Sequence, residues 1–170
     1  MRLAVLAAAI ALGGSACGST PDVARPLVSE IPVAVEALEK KFGSDLDYFE
    51  ISADLVGVTL ILAESEVDNA GEVLGVFATT YRWQSGNLTT VGETLPAEGA
   101  TFRSSAIDLE PENLFKRIDA ELSTPVIVDV AIQGTGTGST VIDATVVNEK
   151  GGTLLVLLSG DGRILGVQAS

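Results

Sequence analysis

Hydrophobic and polar positions change period several times along this chain, and each change marks an element. From Ser29 the apolar residues Ile31, Val35, Leu38 and Phe42 recur at helical spacing, with Glu36, Glu39, Lys40 and Lys41 on other faces. Ser29 is placed to cap this helix, Glu30 suits its positive end, Pro32 fits its first turn, and Gly43 stops it. The period then drops to two. Residues 46–62 predict two strands broken near Asp54 or Gly57. Residues 64–71 read as an acidic turn, and 73–83 as one long strand rich in β-branched and aromatic side chains. Gln84-Ser85-Gly86-Asn87 is a hairpin turn, 88–91 a returning strand, and 92–105 a loop with Pro96 and Gly99.

A second helical pattern follows. Asp108 is its expected cap, Pro111 and Glu112 fit its first turn, Phe115, Ile118 and Leu122 form its stripe, and Pro125 ends it. Strands are expected at 126–133, 140–147, 153–158 and 163–167. The turns between them fall at 134–139, at Lys150-Gly151-Gly152 and at Asp161-Gly162, the last a strong hairpin signal.

Each half thus reads as one helix followed by four strands. The terminal hairpins also correspond, Gly86-Asn87-Leu88 with Val91 against Gly162-Arg163-Ile164 with Val167. Phe42 to Gly86 spans 44 residues and Leu122 to Gly162 spans 40, so one loop is longer in the first half. The expectation is an α+β fold: two α-β-β-β-β repeats, 29–92 and 106–170, in a single domain over 29–170. About eight strands would form one or two antiparallel sheets with two helices on one face.

The first residues follow a different logic. Met1-Arg2 is a short positive start, 3–12 an unbroken apolar run, and Gly13-Gly14-Ser15-Ala16 a small-residue stretch before Cys17. These are the physical parts of a secretory signal, and the run is too short to cross a bilayer, which takes about 20 apolar residues. Ser15-Ala16-Cys17 resembles the end of a bacterial lipoprotein lipobox, with Gly14 where that family more often has Leu, and Gly18-Ser19-Thr20 looks like its flexible tether. The resemblance implies that 1–16 is a signal peptide, that Cys17 carries a diacylglyceryl group and further acyl chains such as palmitate, and that 17–28 is a lipidated tether. The location it implies is the outer face of the cytoplasmic membrane. Several acyl chains hold a protein there far better than one. Cys17 is the only cysteine, so the chain forms no internal disulfide.

Charge narrows the partners. Ten basic and 23 acidic residues give a net charge of −13. Without Arg2 the balance is nine against 23, or −14. Such a chain releases no counterions from a nucleic acid, so nucleic-acid binding is not expected, and anionic headgroups repel it. A charge-steered partner would be basic, while acidity alone also keeps an extracellular protein soluble.

The catalytic repertoire is thin. With no histidine there is no Ser-His-Asp or Cys-His machinery and no His-based zinc site. Neither Ser-x-x-Lys nor Gly-x-Ser-x-Gly occurs. Carboxylate catalysis remains open by count, although the eight aromatic residues are few for a sugar-cleaving enzyme. Residues 134–139 (Gly-Thr-Gly-Thr-Gly-Ser) lack the Lys and spacing of a phosphate loop and lead into a strand, so they read as a hairpin. Glu64, Glu66, Asp68 and Glu72 suggest calcium, but counting from Glu64 the sixth and twelfth positions are Asn69 and Gly75, which fails the calcium-loop pattern. No metal or cofactor is expected.

Phe77, Tyr81 and Trp83 alternate onto one face of the third strand. Either this face packs under the helices, or it is open and its aromatics anchor a partner. The tandem element order and the Gly-x-(Leu/Ile)-x-x-Val hairpin resemble PepSY-like and β-lactamase-inhibitor-protein-like domains. Members of those groups are typically extracytoplasmic and non-enzymatic, and several inhibit or restrain enzymes. The preferred expectation is a membrane-anchored, non-enzymatic domain that binds a protein or peptide, with an inhibitory role among the options. A lipid or small-amphiphile carrier is the alternative, and a carboxylate-dependent hydrolase comes last.

Overall fold

In a computed structural model, the residues described are 24–122, 125–147, 151–159 and 162–169. Cys17, the proposed signal segment, most of the tether, Lys150 and Asp161 lie outside them. A 3-10 turn, Val28–Glu30, leads into α1, Ile31–Phe42. Four strands follow: β1 Asp47–Asp54, β2 Val58–Val67, β3 Val73–Gln84 and β4 Asn87–Pro96. A two-residue strand, β5 Phe102–Arg103, and a short 3-10 turn, Ser104–Ala106, precede α2, Pro111–Glu121. The chain closes with β6 Val126–Gly134, β7 Thr140–Val147, β8 Thr153–Leu158 and β9 Ile164–Ala169.

All strands belong to one antiparallel sheet, in the order β4-β3-β2-β1-β6-β7-β8-β9, with β5 beside the start of β1. Two meanders therefore meet at a central seam where β1 pairs β6, Ile51 opposite Ile132 and Asp54 opposite Asp129. The α+β class with two helices is as expected, and the strands form one sheet of nine.

One face of the sheet carries the core. Its inward positions alternate along each strand: Ile51 and Ala53 in β1, Val58, Leu60 and Leu62 in β2, Val130 and Ile132 in β6, and Ile142, Ala144 and Val146 in β7. They form a single cluster with Ile31, Ala34, Val35 and Leu38 of α1 and Leu114, Phe115 and Ile118 of α2. Both helices thus lie on the same face.

Several boundaries differ from the sequence reading. The residue at the start of α1 is Glu30, not Ser29, because the 3-10 turn occupies 28–30; α2 is entered from Glu110, not Asp108. The stripe of α1 is Ile31, Ala34, Val35 and Leu38. Phe42, its last residue, is 43% exposed and leans on Tyr81 with ring centroids 5.4 Å apart. The β2 strand runs on to Val67, so the acidic turn is confined to residues 68–72, where Asp68 Oδ1 accepts from the amides of Ala70 and Glu72. That aspartate closes a turn with its own backbone. β4 is longer than expected, reaching Pro96, because it pairs β3 back to Phe77.

Candidate functional site: the uncovered sheet face

The second face of the sheet is built from the alternate residues of the same strands. Register sets them in three rows. The central row runs Thr89, Arg82, Thr59, Ser52, Ala131, Asp143 and Leu157 across six of the strand pairings. On one side of it Glu50 lies opposite Gln133, and on the other Asp54 lies opposite Asp129, followed by Thr145 and Leu155. No described element packs over the middle of this face. Only Ala131, small and central, is buried there, at 7% exposure.

Four carboxylates lie on this face around the β1–β6 seam: Glu50 and Asp54 on β1, Asp129 on β6 and Asp143 on the neighbouring β7. Their environments differ. Burial pushes the Asp54 carboxyl up, but the Arg82 guanidinium and the amides of Val56 and Gly57 outweigh it and hold the group below its ordinary value. Arg82 reaches both oxygens of Asp54 at 2.7 Å and donates to Thr59 Oγ1 at 2.7 Å. Asp129 is pushed the other way, by burial first and then by the charges of Glu50, Asp54 and Asp143. Asp143 is raised by burial and by Glu50. The small Ala131 side chain leaves these groups without a spacer, and Gln133 Nε2 donates to Glu50 at 3.0 Å. For two of the four acids, Asp129 and Asp143, the charged form is thus disfavoured, which a cation placed on the face would relieve.

Beside the acids the face turns apolar. Leu155 and Leu157 on β8 are each 38% exposed, and Ile61 and Val141 are half-buried. At its other end, where 97–101 folds back, the face runs into a cavity of about 760 Å³ whose walls include Asp47, Phe49, Pro96 and Glu98. Gly134 lies under this loop, where a Cβ would stand 2.9 Å from the Thr101 carbonyl oxygen.

The aromatic residues singled out from the sequence are on the opposite, helix-covered face. Tyr81 is 5% exposed, and Trp83 packs against the core while its Nε1 donates to Glu30 at 3.2 Å. Phe77 is half-buried, in register with Glu64 and Pro96. Residues 134–139 form the β6–β7 hairpin, tied by hydroxyl contacts of Thr135 with Ser139. Among the described residues no group of three or more acidic, histidine or cysteine side chains is arranged to hold a metal ion.

The four seam acids were missed as a group in the sequence. Glu50, Ser52 and Asp54 do alternate, as do Asp129, Ala131 and Gln133, which marks a polar face for each strand. What the alternation lacks is the pairing of β1 with β6, nearly eighty residues apart. No family model, no curated protein and no solved structure matches this chain.

Proposed function

We propose that this chain is a lipid-anchored extracytoplasmic protein whose domain binds a basic peptide or protein segment on the uncovered sheet face, without catalysing a reaction. The observation that carries this reading is the seam itself: two carboxylates with raised pKa, Asp129 and Asp143, set beside exposed Leu155 and Leu157. A segment with lysines or arginines between apolar side chains matches both features. Its charges would lower the cost of ionising the acids, and its apolar groups would cover the leucines. The cavity by Phe49 offers room for a larger side chain at one end of the face. Support for a binding role over hydrolysis comes from the layout, since Asp54 and Asp129 are neighbours on a flat sheet rather than opposed across a cleft. The anchor rests on the 1–17 sequence, and the absence of histidine supports the non-enzymatic reading.

Titration calorimetry with a synthetic peptide alternating lysine and leucine tests the binding reading. We expect saturable binding that weakens with salt and falls at least tenfold in an Asp129→Asn, Asp143→Asn double variant. Equal binding of a glutamate–leucine peptide would refute it. For the anchor, the native product should carry lipid on Cys17 by intact mass and leave the membrane fraction in a Cys17→Ala variant.

A further inference from the structure

The helix-covered side of the domain holds a second feature that does not depend on the sheet face. Between α1 and the segment leading into α2 lies a cleft of about 490 Å³, within the range of small-molecule sites. Its walls are mainly apolar, with Ile31 and Val35 from α1 facing Ile107 and Leu109. Ile31 and Val35 are buried residues of the core cluster, so the floor of the cleft is part of the packed core.

The charged groups in the lining are both acidic: Glu36 and Glu39, one helical turn apart on α1. Ser104 Oγ donates to Glu39 Oε1 at 2.7 Å and fixes that carboxylate from the facing segment. Behind it the Tyr48 hydroxyl is buried, near Glu39 but without a hydrogen bond of normal geometry. Burial first, and then the Glu39 charge, push the Tyr48 phenol above its ordinary value, so the ring stays neutral and adds no charge to the site.

The N-termini of α1 and α2 both border the cleft and would by themselves favour an anion. Each is worth about half a positive charge, and Glu30, Glu110 and Glu112 already sit at these ends. Two full negative charges on Glu36 and Glu39 outweigh what is left. A separate hollow on the other side of Ser29 and Pro111 is lined by Arg25 and Lys116, with Arg25 paired to Asp119 at 2.6 Å.

We propose that the cleft binds a small amphiphile with a cationic amine head, its chain against Ile31, Val35, Ile107 and Leu109 and its head at Glu36 and Glu39. The site is distinct from the sheet face, so either can fail without the other. The probes are decylamine, decanol and decanoate, titrated below micelle-forming concentration into the full chain and followed by calorimetry. Decylamine should bind one to one, at least tenfold tighter than decanol, with decanoate weakest. A Glu36→Gln, Glu39→Gln double variant should reduce decylamine to the decanol level while leaving decanol binding unchanged. Filling the cleft by Ile107→Trp or Leu109→Trp, each checked for an unchanged unfolding midpoint, should remove binding of both. Decanoate binding as tightly as decylamine, no binding of any probe, or binding insensitive to both tryptophan variants would overturn the proposal.

Discussion

Asp54 and Asp129 stand directly opposite each other across the seam, yet replacing either by asparagine should move stability in opposite directions. Asp129 has no cationic partner among its described contacts; burial and three neighbouring acids push its carboxyl up. A raised carboxylate pKa means that stability is fully present below the unfolded value and is lost as pH rises through the folded one. Near neutral pH, therefore, ionised Asp129 costs stability. Like charges directly opposed in an antiparallel pair are unfavourable by up to about 1 kcal/mol, and Asp143 adds a diagonal neighbour. Asp129→Asn should then stabilise the domain by about 0.5–1 kcal/mol, a rise of about 3 °C in Tm at this size.

Asp54→Asn removes the charge and one of the two oxygens that accept from Arg82, and weakens acceptance from the Val56 and Gly57 amides. Its side chain is 40% exposed, so solvent screens much of the pair, and the loss should stay near 1 kcal/mol. Urea unfolding of both variants, near pH 7 and again near pH 3, reads the difference. Below the ordinary aspartate value of about 3.9 the groups are largely protonated in the unfolded chain, so the gain from Asp129→Asn should shrink toward zero. Destabilisation by Asp129→Asn near pH 7, or an equal gain at both pH values, would refute the role assigned to this carboxylate.

Three further outcomes follow from the packing. Leu38→Ala empties a fully buried position of α1 and should cost about 2–5 kcal/mol by urea unfolding; a loss below 1 kcal/mol would mean that α1 does not pack as described. Gly57→Ala would place a Cβ 2.3 Å from the Trp83 carbonyl oxygen, so backbone must move, and a loss of about 1–3 kcal/mol is expected; a neutral effect would contradict the close approach of β2 and β3 there. Tyr48, its phenol pushed up by burial and by Glu39, should stay un-ionised past the ordinary value of about 10. Near-ultraviolet absorbance would show otherwise if this ring titrated normally while the domain remained folded.

The elements were legible where the sequence obeys one period. α1 and β3 each have an uninterrupted pattern, and most strand limits differ from expectation by a residue or two. In sequence only four residues of β4 look like strand, because Gly92 and Pro96 look like loop residues. Partnering with β3 overrides that local preference, with Pro96 at the strand's very end where no further ladder bond is needed. The helix caps were misplaced because Ser29 and Asp108 are the best cap residues by type, whereas a 3-10 turn and an extended approach put Glu30 and Glu110 at those positions. The aromatic trio stands out in the sequence because its three rings alternate onto one face of β3, and Tyr81 and Trp83 serve the core. The acids on the other face are unremarkable singly. They become a site only when two meanders from distant parts of the chain are joined at β1 and β6.

Amide chemical-shift mapping with the lysine–leucine peptide tests the binding account most directly. Shifts should concentrate on Ser52, Asp129, Ala131, Thr145 and Leu157, and α1 and α2 should stay silent. Shifts confined to the helices, or spread evenly over the surface, would contradict the assignment of the uncovered sheet as the place where a basic partner docks.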